Sequence, residues 1–184
     1  MKRCHDPRWR PAVWTLFVAV LVAAIPSGCA AKETLAPLPV VDLSRLPSKA
    51  QTQVSGAQAA LAQATAESAV PLAARFGDLG RHYQAYQLLA AAERAYRNAL
   101  ALTPDAFEWR YLLAHTLREG NQNEAAAESF DIASSLRPGE GVVRFWAGQS
   151  WAATGKVDEA KKRYESLLKD EPDHVAAMVA LARI

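Results

Sequence analysis

Residues Val142–His174 read VVRFWAGQSWAATGKVDEAKKRYESLLKDEPDH, and this stretch decides the fold. Gly155 is placed to end a first helix as its C-cap. Asp158 enters a second helix near the positive end of its dipole. Pro172 then stops that helix, because a proline ring cannot continue it. The stretch therefore predicts one helix–turn–helix unit.

The unit recurs in steps of 34 residues. The columns that align over three copies are Leu79, Leu113 and Ala147; Gly80, Ala114 and Gly148; Tyr83, Leu117 and Trp151; Ala92, Ala126 and Ala160; Tyr96, Phe130 and Tyr164; Ala99, Ala133 and Leu167; and Pro104, Pro138 and Pro172. The apolar residues are rich in alanine, which favours helix. No long run of alternating β-branched residues appears in the sequence, so we predict an all-α protein.

Each column has a physical reason. The small residue of the Gly80 column is expected where the two helices of one unit approach closely. The ring of the Tyr96 column is expected between one unit and the next. The Pro104 column stops a helix and sets the turn into the following unit.

These columns resemble the tetratricopeptide repeat family, whose period is 34. The resemblance covers about Leu72 to Asp173. It implies a right-handed superhelical solenoid of antiparallel helix pairs, with flanking helices. The expected repeats are 73–106, 107–140 and 141–174, with a terminal helix at 175–184, inside a repeat domain of 71–184. The expected helices are 72–86, 88–102, 105–119, 122–136, 141–153, 157–170 and 173–184.

The turns within the three copies differ in sequence. Gly155 turns the third copy, and Gly120-Asn121 turns the second with its glycine one place early. Gln87 replaces the turn glycine in the first copy, so that turn is expected to be tighter or its helices longer.

The first 28 residues predict a secretory signal peptide. Residues 1–10 are basic, and the stretch from Ala12 to Ile25 is uncharged. That apolar stretch is short for a membrane-spanning helix. Three fates of this segment are possible. It is cleaved as a lipoprotein signal, it stays as an uncleaved anchor, or it is cleaved to leave a soluble product.

Ser27-Gly28-Cys29 resembles the lipobox of bacterial lipoproteins, which implies that the Cys29 thiol is acylated. Pro26 departs from that pattern, which usually has an aliphatic residue there. Ala30 after the cysteine implies sorting to the outer membrane of a Gram-negative host. The expected location is therefore the cell envelope, periplasm-facing and lipid-anchored.

Residues 29–47 contain three prolines and predict an extended tether, part of which is expected to dock onto the repeats. Residues 48–70 predict a helix that is either an N-terminal cap or a degenerate repeat. Val54, Ala57, Leu61, Ala64 and Ser68 share its apolar face, and Pro71 is expected to end it.

Charge and cysteine content exclude several kinds of function. Without residues 1–28 the chain has 17 basic and 18 acidic residues, which argues against a nucleic-acid partner. Beyond Cys4 and Cys29 there is no cysteine for a disulfide, a metal cluster or a nucleophile. No metal site, cofactor, catalytic group or small-molecule substrate is predicted. The basic run Lys161-Lys162-Arg163 is interpreted as solvated surface.

In the family, the first helices line a concave face that binds partners. The residues expected there are Arg81, Gln84, Tyr111, His115, Arg118, Phe145, Trp146 and Gln149. Tryptophan, tyrosine and arginine are the residues that dominate peptide-binding energy. The alternative is that Phe145 and Trp146 only pack against a neighbouring helix. The carboxylate clamp of chaperone-binding members is absent, because only Arg81 among its positions is basic.

The sequence thus predicts a non-catalytic, membrane-anchored scaffold that binds partner proteins in the envelope. The alternative is a regulatory module of an envelope enzyme or electron-transfer system. An enzyme in its own right is the least favoured hypothesis.

Overall fold

The computed structural model describes residues 35–64 and 68–184, and this part of the chain contains helices and no strand. The helices are α1 (Ser48–Gln63), α2 (Ala69–Ala85), α3 (Leu89–Leu102), α4 (Phe107–Glu119), α5 (Asn123–Leu136), α6 (Gly141–Ala153), α7 (Val157–Asp170) and α8 (Val175–Ala182). The prediction of an all-α solenoid is confirmed.

The helices pack in chain order. Helices α2 and α3, α4 and α5, and α6 and α7 form three antiparallel pairs, and the second helix of each pair packs on the first helix of the next. Helix α1 covers α2, and α8 covers α7. The aligned columns form the core: Leu79, Leu113 and Ala147 are almost fully buried, as are the tyrosine and phenylalanine of the Tyr96 column.

The three turns within pairs have one conformation. Gln87, Asn121 and Gly155, which are 34 residues apart, all have positive φ angles, of 58°, 58° and 77°. In the first of these turns the amide of Leu88 donates to the carbonyl of Tyr83 at 2.9 Å. This is the bond that closes a Schellman C-cap. The expectation of a tighter first turn is wrong, because Gln87 adopts the left-handed conformation itself. Helix α2 is longer than α4 and α6, with 17 residues against 13 in each, as the other branch of that expectation had it.

The turns between pairs also repeat. The residue before each proline of the Pro104 column ends its helix outside the helical region, with ψ angles of 77°, 79° and 76°, as a following proline favours. In the first of them the amide of Ala106 donates to the carbonyl of Thr103 at 3.1 Å. The same bond recurs in the next two turns. The prolines therefore set the spacing of the solenoid.

The small residues of the Gly80 column let the two helices of one pair approach each other closely. A Cβ atom on Gly148 would lie 2.5 Å from the ring of Tyr164, and one on Gly80 would lie 2.6 Å from the ring of Tyr96. No larger side chain fits without moving those rings. The expected close approach is confirmed at both glycines.

An extended segment precedes α1. We call residues 35–41 the strap. Its Leu35, Leu38 and Val41 pack on the core of the first pair. Both atoms of the Asn98 carboxamide bind the main chain of Ala36: the amide of Ala36 donates to Oδ1 at 3.0 Å, and Nδ2 donates to the Ala36 carbonyl at 2.8 Å. Asn98 is only 3% exposed, so these two hydrogen bonds take the place of those that its carboxamide would make to water.

The helix after the strap ends earlier than the sequence suggests. Val54, Leu61 and Ala64 are buried as expected, whereas Ser68 is exposed and lies outside α1. Pro71 does not end this helix but lies in the first turn of α2. Proline is tolerated there because the first amides of a helix have no partner within the helix.

The predicted signal peptide at 1–28, Cys29 and the first part of the expected tether lie outside the described residues. Within the described ranges, none of the helices combines the length and apolar character needed to cross a bilayer.

Candidate partner-binding face

Side chains of α4 and α6 meet in a group of aromatic rings. We call Tyr111, His115, Phe130, Phe145, Trp146 and His174 the aromatic cluster. His115 lies at its centre, with ring centroids 4.5 Å from Tyr111, 4.9 Å from Phe130 and 5.5 Å from Trp146, all edge to face. Phe145 continues the cluster, 5.5 Å from Trp146. Edge-to-face pairs of this kind are favourable because ring edges are positive and ring faces negative.

His115 is held neutral within the cluster. Burial, and after it the neighbouring charge of Arg118, lower its pKa to about 4, against a smaller opposing effect of Glu119. Burial also raises the pKa of Tyr111. At neutral pH both side chains are therefore uncharged, and Arg118 supplies the positive charge beside them.

Arg118 lies over Trp146. Its guanidinium carbon is 4.3 Å from the centroid of the indole ring, which is a cation–π contact. The Nε atom of Arg118 is buried and has no hydrogen-bond partner among the described residues. No carboxylate of residues 35–64 or 68–184 forms an ion pair with this guanidinium. Arg118 is thus a positive charge that the described chain leaves uncompensated.

Arg81 and Gln84 lie apart from the aromatic cluster and join α2 to α4. Arg81 pairs with Asp78 at 2.8 Å and with Glu108. Gln84 donates to Glu119 at 3.1 Å and accepts a hydrogen bond from the hydroxyl of Tyr96. The charge on Arg81 is therefore already compensated, unlike that on Arg118.

Gln149 lies at the other end of the face. With Phe145, Tyr164, Val179 and Arg183 it lines a cavity of about 420 Å³ between α6, α7 and α8. No ion pair of Arg183 is formed with the described residues. Most residues that line the cavity are apolar, Arg183 has the one charged side chain among them, and Phe145 belongs to both the cavity and the aromatic cluster.

The structure thus brings Tyr111, His115, Arg118, Phe145 and Trp146 together. Phe145 and Trp146 pack on neighbouring rings, as one interpretation of the sequence had it, and each remains partly exposed. Their role in binding stays a prediction.

Two residues of this region were missed by the sequence analysis. His174 is not among the residues predicted for the face, yet its ring lies 5.5 Å from Phe145 and its Nδ1 accepts a hydrogen bond from the amide of Ala177 at the start of α8. Trp109 is 8% exposed and packs so closely on Gly77 that a Cβ there would lie 2.4 Å from its ring. An aromatic residue in the first turn of a helix, opposite a glycine in the preceding pair, is the signal that could have identified Trp109.

The described residues contain no group of three or more histidine, cysteine, aspartate or glutamate side chains placed to hold a metal ion.

The sequence matches the family model of the tetratricopeptide repeat over residues 78–141 and 147–184, which is more than half of the chain. The chain belongs to the tetratricopeptide repeat family. Members of this family are generally non-enzymatic interaction modules. No curated protein matches the chain at a significant level.

Solved structures of other proteins share the fold, and two of those named here are tetratricopeptide repeat domains. The crystal structure of MamA superposes with a TM-score of 0.62 and 17% identity, over 78% of this chain and 82% of MamA. The first repeat domain of Spaghetti (RPAP3) bound to the HSP90 peptide SRMEEVD has a TM-score of 0.56 and 21% identity, over 62% of this chain and 90% of that one. The Sgt2 domain from Aspergillus fumigatus has a TM-score of 0.53 and 21% identity, over 61% and 76%. At these identities the likeness is one of fold.

Proposed function

We propose that this tetratricopeptide repeat protein is a non-catalytic scaffold that binds a segment of a partner protein on the face formed by α4 and α6. The segment carries an acidic side chain that meets Arg118 and a nearby apolar side chain that packs on Trp146 and Phe145. A fold neighbour that binds a peptide, the first repeat domain of Spaghetti (RPAP3), supports this proposal.

The observation that carries the proposal is the contact between Arg118 and Trp146. The buried Nε of Arg118 lacks a partner, and an unsatisfied buried donor is unfavourable. Stacking on the indole holds the guanidinium in one orientation, which lowers the entropy lost on binding. A carboxylate of the partner would compensate the charge in a partly desolvated place, where such hydrogen bonds are strong.

The test is a selection of random linear peptides displayed on phage against the immobilised chain, followed by affinity measurements on synthetic peptides. We expect selected sequences to be enriched in aspartate or glutamate next to an apolar residue. Arg118→Gln should weaken the binding of the best peptide by about tenfold or more, as loss of a charged hot-spot contact does. Trp146→Ala should weaken it at least as much.

Arg94→Gln is the matched control, because Arg94 is exposed on α3, away from the proposed face. Circular dichroism of each variant would show that the fold is retained. Peptides that bind Arg118→Gln and Trp146→Ala as well as they bind the native chain would place the binding surface elsewhere.

We further propose that the scaffold is anchored by an acyl group on Cys29 in the cell envelope, with its repeats facing the periplasm. The support is the sequence pattern around Ser27-Gly28-Cys29. The test compares the native chain with Cys29→Ala by membrane fractionation on a density gradient and by mass spectrometry of the N-terminal peptide. Recovery of the native chain in the salt-washed soluble fraction, without an acyl mass, would refute the anchor and would leave the peptide-binding face untouched.

A further inference from the structure

A second cavity, of about 740 Å³, lies between the strap and helices α1 and α2. Leu61 and Ala62 line it from α1, and Leu72 and Phe76 line it from α2. The strap forms the remaining wall. The cavity shares no residue with the aromatic cluster, and its volume lies within the range of pockets that hold small organic ligands.

The chemistry of the walls is unusual for a partner-binding surface. None of the residues that line the cavity is charged, and the only polar side chains among them are Gln58 and Tyr83. Gln58 Nε2 donates to the Tyr83 hydroxyl at 2.9 Å. The hydroxyl proton of Tyr83 and the carboxamide oxygen of Gln58 make no hydrogen bond to the described residues. They can satisfy one small polar group of a ligand.

The strap closes the cavity with few main-chain bonds. Pro37 and Pro39 have no amide hydrogen, and the strap binds the helices through the two bonds between Ala36 and Asn98. Val40 is fully exposed, so it does not hold the strap in place. Displacing this wall would break two hydrogen bonds and the packing of Leu35, Leu38 and Val41 but no helix, so the strap is the side from which a ligand would enter.

We propose that this cavity binds the hydrocarbon chain of an uncharged lipid, such as a monoacylglycerol or a fatty alcohol. A fatty-acid anion is disfavoured because burying a carboxylate without a cation has a large free-energy cost. An inserted peptide is disfavoured as well, since its many main-chain groups would face walls that offer two polar side chains. An alkyl chain with one hydroxyl or ester group needs no more than Gln58 and Tyr83 provide.

The test is calorimetric titration of the purified full-length chain with 1-monolauroylglycerol and, separately, with laurate near pH 8. We expect the uncharged lipid to bind and laurate to bind at least about tenfold more weakly. Absence of heat with monolauroylglycerol, or equal affinities for the two ligands, would overturn the proposal.

A pair of variants locates the ligand. Ala62→Phe places a ring in the cavity from an exposed position on α1. It should weaken the binding of monolauroylglycerol by about tenfold or more. Ala59→Phe is the matched control, because Ala59 is also exposed on α1 but does not line the cavity. Equal binding to both variants would place the lipid outside the cavity. Neither change touches Arg118 or Trp146, so the outcome is independent of peptide binding.

The strap has its own test. Ala36→Pro removes the amide that donates to Asn98 Oδ1 and leaves every helix intact. We expect faster proteolytic cleavage within the strap and weaker binding of monolauroylglycerol, because the strap loses one of its two bonds to Asn98. Unchanged affinity in a variant whose strap is cleaved faster would show that the strap is not a wall of the lipid site.

Discussion

The imidazole of His115 on α4 meets the indole of Trp146 on α6 edge to face, with 5.5 Å between the ring centroids and 75° between the ring planes. The contact joins two repeats across the proposed binding face. It is made by a neutral imidazole, because burial and Arg118 lower the pKa of His115 to about 4.

This relationship predicts a pH dependence of stability. The pKa of His115 in the folded chain lies below that of an unfolded histidine, about 6.5. The stability that the neutral ring contributes is therefore present above about pH 6.5 and is lost as the pH falls towards about 4. We expect the urea midpoint to fall over this range, and His115→Phe to remove part of the fall. His82→Phe, on α2 outside the aromatic cluster, is the control. The same pH profile in His115→Phe as in the native chain would contradict the prediction.

The close approach of Gly148 to Tyr164 predicts that any side chain added at position 148 causes overpacking. An added methyl group would lie 2.5 Å from the buried ring of Tyr164. We expect Gly148→Ala to lower the free energy of unfolding by about 1–3 kcal/mol, the usual effect of overpacking. Gly56→Ala is the matched control, since a Cβ there meets nothing within 4 Å on an exposed face of α1. It should stabilise the chain by about 0.5–1 kcal/mol because alanine favours helix. Denaturant unfolding measures both, and a stable Gly148→Ala variant would mean that Tyr164 has room to move.

The positive φ angles of the three turn residues predict a graded series of stability changes when these residues are replaced. Gln87 and Asn121 adopt φ of 58°, where a side chain with a Cβ is strained. We expect Gln87→Gly to stabilise the chain by roughly 0.5–1 kcal/mol, and Asn121→Gly by less, because asparagine tolerates this region better than glutamine. Gly155→Ala should destabilise it by about 1 kcal/mol. Thermal unfolding of the three variants tests the order, and a destabilised Gln87→Gly variant would refute it.

Asp131 predicts coupling between the second and third helix pairs. Its carboxylate on α5 accepts Trp151 Nε1 at 2.9 Å from α6, and it accepts Arg163 Nε at 3.0 Å from α7. We expect Asp131→Ala to lower stability by about 2 kcal/mol, since two partly buried donors lose their partner. Glu128→Ala, exposed on the same helix, should stay within about 0.5 kcal/mol.

A double-mutant cycle with Arg163→Ala would measure the coupling of Asp131 and Arg163 directly. In a solenoid, adjacent repeats are held mainly by such nearest-neighbour contacts. Broadening of the unfolding transition in Asp131→Ala is therefore expected as well. Additive effects of the two changes would show that the ion pair contributes nothing of its own.

Periodic features were predictable from the sequence, and particular contacts were not. The helix pairs follow from the 34-residue columns, and α6 and α7 have the predicted bounds. The turn at Gln87 was mispredicted because hydrogen bonds across the turn outweigh the conformational preference of one residue. Arg163 belongs to a run interpreted as solvated, yet it pairs with Asp131 on another helix. That pairing depends on tertiary position, which no local pattern reports.

The candidate site divides in the same way. The helical phase placed Tyr111, His115 and Trp146 on one face, and the structure brings their rings together. Their role in partner binding stays a prediction. The helical phase did not distinguish Arg118, which has no acidic partner among the described residues, from Arg81, which has two. It also gave no sign that Asn98 holds Ala36, since these residues lie 62 positions apart.

The pairing of Asn98 with Ala36 has a consequence for self-association. Strap and α1 occupy the edge of the first repeat that another repeat would otherwise extend. Copies that join end to end through repeat edges need one open edge of each kind, and here one edge is already filled by the chain itself. Growth into a filament requires a heterologous contact at every step, so we expect the strap and α1 to oppose such growth at this edge. The strap would then limit end-to-end association of the monomer.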